Sequence, residues 1–322
     1  MVEQPLPWPA DVSEIPELIE VARLAASAKV RLQAVAPAGG RSPSDTEVGD
    51  RPDRRRVICY LPAVPDEAGG VGLLVRYEAA AEVSSLVETV SGLLEGAPGG
   101  EPRVEDARGP TVVDVLVCTH GRRDTCCGGR GMDLVGELVA EGVRAGAAGR
   151  RSPLAAGRRS ALARVGELAD SSADLAPTSV RLWRTSHTGG HRFAPTCIVL
   201  PSATMWAWAD PPLVRMVAAN EGALDEVQGR YRGYACLGSP PEQALEAAVL
   251  AEVGWPLLGY PRWARALGDG RVQLETEGAG RWDATVREGR RVPQPDCRTD
   301  PAAATRFGVE WVVEDLRQVV AA

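Results

Sequence analysis

The chain holds only three histidines, His120, His187 and His191, and all three fall in two short segments that also hold three of its seven cysteines. The first segment runs Cys118-Thr-His-Gly-Arg-Arg-Asp-Thr-Cys126-Cys127. The second, about sixty residues later, runs Ser186-His-Thr-Gly-Gly-His-Arg-Phe-Ala-Pro195. Imidazole and thiolate are the side chains that zinc and iron–sulfur clusters take as ligands. The simplest reading is one metal centre shared by both segments, so the fold has to bring them together. Two cysteines and two histidines make a full set for one metal ion or for a [2Fe–2S] pair. Zinc in a Cys2His2 set satisfies the count without any redox role. A Rieske centre does not fit, because Cys118-Thr-His120 has no Cys-x-x-His to follow it.

Local sequence gives this centre a frame. Val112 to Val117 reads as a buried strand ending at Cys118, and Leu134, Val135, Leu138 and Val139 mark a helix that follows Cys126 and Cys127. Amide groups at such a helix start favour a thiolate. Gly189 and Gly190 let the second loop fold around an ion and present both imidazoles.

With 322 residues, 44% of them hydrophobic and 25% charged, the chain has room for two or three domains with real cores. A net charge of −7 argues against a dedicated nucleic-acid binder. No run of about eighteen apolar residues occurs, so no membrane span is expected. The first residues lack the pattern of a signal peptide, which predicts a cytoplasmic protein. Thiols stay reduced there, and the odd cysteine count favours metal or redox chemistry over structural disulfides.

Strand-like and helix-like patterns alternate along the chain. A helix is expected over 13–26 with Ser13 as N-cap, strands at 57–61 and 73–77, and a helix through Val83, Leu86, Val87, Val90 and Leu94. Strands at 180–183 and 197–200 bracket the His187–His191 loop. Asp210 can cap a helix, and Ser239-Pro-Pro-Glu242 has capping-box spacing. The tail has strand patterns at 272–276, 282–286 and 310–313, with a turn at Glu288-Gly289. Loops are expected at 37–56 and 144–177; the second repeats Ala-Ala-Gly-Arg-Arg-Ser and reads as a tolerated low-complexity insertion, with docking of an acidic partner by its basic residues as the alternative. The two halves before residue 240 look like similar units of strand, helix and paired strands, giving an α/β class.

The two histidine–cysteine motifs, with the opening Val2-Glu-Gln-Pro-Leu-Pro-Trp8, resemble the sucrase/ferredoxin-like family of thioredoxin-fold ferredoxins. The resemblance is good over about 1–125 and 180–255. It implies tandem thioredoxin-like domains at 1–104 and 105–238, followed by a small α+β unit at 239–322. It also implies a [2Fe–2S] cluster held by Cys118, Cys127, His187 and His191, with Cys126 as the alternative to Cys127. The chain departs from the family in its 144–177 insertion and in Ser202-Ala-Thr-Met-Trp-Ala-Trp208, where relatives carry Asp-Gly and then Tyr-Gly-Arg. It also starts at the Glu-x-Pro segment, so a first domain truncated at its start is expected.

These readings predict a one-electron carrier whose ligand histidines couple reduction to proton uptake, working between an unidentified reductase and an acceptor. The alternatives are a zinc-stabilised interaction protein and a thiol oxidoreductase using Cys126 and Cys127. No pair of carboxylates stands out for glycoside cleavage, so sugar hydrolysis is not expected. Among the remaining residues, His120 reads as a surface turn histidine and Arg122, Arg123 and Asp124 as an ion pair or as groups tuning the centre. Arg192 reads as a loop anchor, Trp206 and Trp208 as core, and Cys59, Cys197, Cys236 and Cys297 as inert buried thiols.

Overall fold

Two stretches of the chain fold by one plan in the computed structural model, which describes residues 1–38, 51–62, 74–95, 112–143, 179–297 and 299–319. In the first stretch, β1 (Val2–Glu3) leads through helix α1 (Ile19–Ser27) to β2 (Ala34–Pro37), which lies parallel to it. The antiparallel pair β3 (Arg54–Pro62) and β4 (Leu74–Glu82) then joins through β3 to β1, and α2 (Leu86–Leu94) follows. In the second, β5 (Val112–Cys118) leads through α3 (Thr125–Ala140) to parallel β6 (Ser179–Thr185). Next come β7 (Cys197–Leu200), antiparallel to β5, then β8 (Thr204–Trp206) and α4 (Pro211–Ala219). The similar halves expected from sequence are therefore present.

Antiparallel pairing of β2 with β6 joins the halves edge to edge. With β9 (Tyr231–Tyr234) they form a nine-stranded sheet ordered β4-β3-β1-β2-β6-β5-β7-β8-β9. After α5 (Pro240–Val253), the strands β10 (Arg262–Gly268), β11 (Arg271–Thr276), β12 (Gly280–Pro293) and β13 (Phe307–Val319) make a separate four-stranded antiparallel sheet. No helix among the described residues is long and apolar enough to cross a membrane.

Strand β5 lies in the interior, which explains its almost unbroken apolar sequence. Val113, Val115 and Val117 pack with Leu134, Val135 and Leu138 of α3, while Leu116 joins Trp183 in a second core. The exception is fully buried Asp114. Its carboxylate accepts hydrogen bonds from Arg181 Nε and Nη2 at 2.6 and 2.7 Å, from Trp183 Nε1 at 2.6 Å, and from the Tyr60 hydroxyl. Tyr60 sits on β3, so this network ties the halves together across the joined sheet.

Several boundaries differ from the sequence expectations for local reasons. Helix α1 begins at Ile19 after two 3-10 turns, and Asp11 rather than Ser13 accepts the capping bond, from Ser13 N at 2.9 Å. Pro16 holds Ile15 in an extended conformation, which keeps the turns separate. Glu288-Gly289 is not a turn: β12 runs through it to Pro293, with a register shift against β13 between Glu288 and Arg291. Strands β1, β2, β8, β9 and β10 carried too little pattern to be expected. The loop expected at 37–56 has its ends in β2 and β3 and its middle, 39–50, outside the described residues. The basic 144–177 segment lies wholly outside them.

Candidate metal centre

Parallel strands β5 and β6 end side by side, and the site forms at their carboxyl ends, where open α/β sheets place ligands. Cys118 is the last residue of β5 and is fully buried. Helix α3 starts at Thr125, with Asp124 in the N-cap position, so Cys126 and Cys127 lie in its first turn rather than ahead of it. Close packing of α3 on the strand end depends on Gly131, where an added Cβ would come within 2.0 Å of the Cys118 carbonyl oxygen. The His187–His191 loop follows β6, and Gly190, at φ +70°, leads into a 3-10 turn from His191 to Phe193. The Arg232 guanidinium fills the space beside Gly190 and donates to the Gly189 carbonyl at 3.1 Å.

The site's cysteines separate into two groups. The Cys127 thiol, the His120 and Thr188 backbone N–H groups and the Thr188 hydroxyl all favour the thiolate form of Cys118. These donors, the Cys127 thiol foremost, outweigh burial and hold the Cys118 thiol down at about 6. Cys127 keeps its proton: donating it to Cys118, with burial added, raises its own pKa strongly. Cys126 turns the other way. Its Sγ lies 2.9 Å from Cys297 Sγ and 3.7 Å from His191 Nδ1. Burial, with Cys297 alongside, pushes its thiol up to about 11.

Cys297 sits 3.3 Å from His191 Nδ1, so Cys126, His191 and Cys297 bring three ligand atoms within 4.8 Å of one another. His187 Nδ1 lies 3.1 Å from Asp124 Oδ2 yet is buried without an aligned hydrogen bond. Burial lowers the His187 pKa, Arg123 lowers it further, and Asp124 opposes them. A neutral imidazole with an unused nitrogen is the form a metal requires. Of the residues expected to act together, Cys118 contacts Cys127, His191 contacts Cys126, and His187 contacts Asp124.

The environment corrects other expectations. His120 is buried, not a surface residue: Nε2 makes a 2.7 Å hydrogen bond with the Pro9 carbonyl, and the ring meets Trp8 edge-on at 5.9 Å. Trp206 is core, but Trp208 is 47% exposed at φ +45° and packs edge-on against Phe193 at 5.3 Å. Cys297 is exposed rather than buried. Sequence reasoning missed its place in the site, although its polar setting, Pro295-Asp-Cys-Arg298, was a usable signal. Arg122 and Arg123 are exposed, and neither has an ion-pair partner among the described residues. Arg192 stacks over its neighbour Phe193 at 4.3 Å, while Arg232 holds the loop from outside.

Cationic side chains surround the histidine loop. Arg31 donates to the His187 carbonyl at 3.1 Å. Burial, then Arg192 and Arg31, lower the Arg232 pKa to about 10, and burial lowers those of Arg184 and Arg192. Among the described residues, no carboxylate pairs with Arg31, Arg184, Arg192 or Arg232. In a chain of net charge −7, this is a local excess of positive charge.

Comparison with known proteins gives one match. The family described as sucrase/ferredoxin-like matches residues 2–233. No curated protein and no solved structure matches the chain.

Proposed function

Because the chain belongs to the sucrase/ferredoxin-like family, we propose that it is a redox protein that passes single electrons through a [2Fe–2S] cluster held by Cys118, Cys127, His187 and His191. The observation that carries this reading is the placement of Cys118 and Cys127, buried side by side where the strand ends and the helix begins, with surroundings that favour the Cys118 thiolate. A charged sulfur so deep in the protein has to be neutralised, and a bound cation does this. Cys127, its partner, supplies the second thiolate once its proton leaves. His187 contributes a neutral ring with an unused buried nitrogen, and His191 a ring whose Nδ1 faces the sulfurs of Cys126 and Cys297. The cluster would supply a one-electron couple, with imidazole ligation raising its potential over that of all-cysteine ferredoxins. Proton uptake on reduction falls to the ligand imidazoles.

The repeated order β2-β1-β3-β4 and β6-β5-β7-β8, each half with parallel first strands and a later helix, supports two thioredoxin-like domains. Redox partners, a reductase and an acceptor, would meet the unpaired arginines and Trp208 with an acidic surface. The seven free cysteines suit a reducing, cytoplasmic setting.

A second reading is a single zinc ion that stabilises a non-catalytic protein. The convergence of Cys126, His191 and Cys297 favours it. Anaerobic purification with metal analysis, visible absorption and EPR separates the two. Iron with equal sulfide and a coloured protein is the expected result, and His187→Cys and His191→Cys should keep the colour at a lower potential. Stoichiometric zinc, or a colourless protein after iron–sulfide reconstitution, rejects the cluster.

A further inference from the structure

We propose that Cys126 and Cys297 form a reversible disulfide, made by exchange with a small-molecule disulfide, that tethers the segment between β12 and β13 to the start of α3. The two Sγ atoms lie 2.9 Å apart although 171 positions separate them in the chain. This approach comes from a supported turn. Gln294 N donates to the Arg306 carbonyl at 2.8 Å, Thr299 N donates to the Asp296 carbonyl at 3.0 Å, and an Asp296–Arg306 ion pair closes the base. The turn holds Cys297 against the half-buried Cys126 while leaving it open to solvent.

The pair stands apart from the other close pair, Cys118 and Cys127, which is buried beyond the reach of a soluble oxidant. It also differs from Cys126 with Cys127, whose adjacency in sequence would strain a disulfide. Exchange proceeds in two balanced steps. The Cys297 thiolate attacks one sulfur of the small disulfide, forms a mixed disulfide and expels one small thiolate. The Cys126 thiolate then attacks Cys297 Sγ, forms the protein disulfide and expels the second thiolate. Two protein thiols have lost two electrons and two protons, and one small disulfide has become two thiols. Exposed disulfides of this kind are the readily reduced, regulatory ones. Closure would fix the tail segment over Nδ1 of His191, 3.3 Å from Cys297 Sγ.

The test uses the full chain, with its metal content recorded. The protein is equilibrated in buffers of graded oxidised and reduced glutathione, quenched in acid, alkylated and mapped by mass spectrometry. A peptide joining Cys126 to Cys297 is expected, with faster migration on a non-reducing gel, both reversed by excess reduced glutathione. Cys126→Ser should lose both signals and leave Cys297 as a glutathione adduct; Cys59→Ser should keep both. Linkage of Cys126 to Cys127, or two freely alkylated thiols at every ratio, overturns the proposal. So does protection of both thiols by a bound ion that a chelator removes. Cys297 lies outside the proposed cluster set and Cys126 enters it only as the alternative to Cys127, so with the metal content recorded the disulfide and the cluster are read separately.

Discussion

Thr188 serves the site twice. Its backbone N–H and its hydroxyl both favour the Cys118 thiolate, and the hydroxyl lies 2.8 Å from that of Thr196. Thr188→Val keeps the shape but removes the hydroxyl donor. In the metal-free protein the Cys118 thiolate should then titrate above about 6, read as thiolate absorbance against pH; an unmoved midpoint refutes the cradle. Gly131 acts by absence. The Cβ of Gly131→Ala would meet the Cys118 carbonyl oxygen at 2.0 Å, so helix and strand end must separate. Overpacking of this kind costs about 1–3 kcal/mol. Chemical denaturation should show that loss, whereas Gly129→Ala, with open space around its Cβ, should not.

Strand β5 carries the most consequential buried charge. Burial pushes the Asp114 pKa up, but Arg181 and the bonds from Tyr60 and Trp183 hold it, on balance, below the ordinary value. A depressed folded-state pKa stabilises the fold above the unfolded carboxyl value near 3.9 and loses that contribution as pH falls through the folded value. Acid unfolding of the wild type should reflect this loss, and Asp114→Ala should flatten that part of the curve. Removing one partner of a buried pair costs about 3–5 kcal/mol at neutral pH when the other charge is left alone; Arg181 keeps Glu78 at 2.9 Å, so the loss should lie at the lower end, about 3 kcal/mol. A variant as stable as wild type would mean that the network does not join the halves.

At this same scale the sequence was legible wherever a signal was local. Asp210 caps α4 through Leu213 N at 2.9 Å, and Ser239 with Glu242 closes the capping box of α5, because each motif lies within one helical turn. The Cys118 strand end was readable from its apolar run. Two-residue β1 has no periodicity to read, and its place is set by β2 and β3 on either side. Glu288-Gly289 misled because glycine serves a bulge as well as it serves a turn. The polar setting of Cys297 signalled its exposure but not its partner, which lies 171 positions away, a distance at which spacing carries no information. His120 was misread because its burial comes from Pro9 and Trp8, at the far end of the chain.

Across the molecule, one core runs through both sheets on the C-terminal side. Val115 and Trp206 of the nine-stranded sheet share it with Leu245, Val249 and Leu250 of α5 and with Val272 and Leu274 of β11. A buried ion pair reinforces the join: Arg262 Nε on β10 meets Glu246 Oε1 on α5 at 2.9 Å, and the Tyr231 hydroxyl of β9 reaches the same oxygen at 2.8 Å. A shared core couples the unfolding of the parts that share it. The four-stranded sheet and the half bearing the metal centre should therefore melt in one transition, although the sheet lies far along the chain from Cys118 and Cys127. Leu274 is fully buried, and Leu274→Ala should cost about 2–5 kcal/mol through lost contact and a residual cavity. Near-ultraviolet circular dichroism of the tryptophans, followed with temperature, reads both parts: Trp206 in the first and Trp263 and Trp282 on β10 and β12. The expected outcome is one transition displaced as a whole to lower temperature. Two transitions, with only the later strands displaced, would show that the C-terminal sheet is an independent unit, and its turn bearing Cys297 would then have no rigid base from which to reach the site.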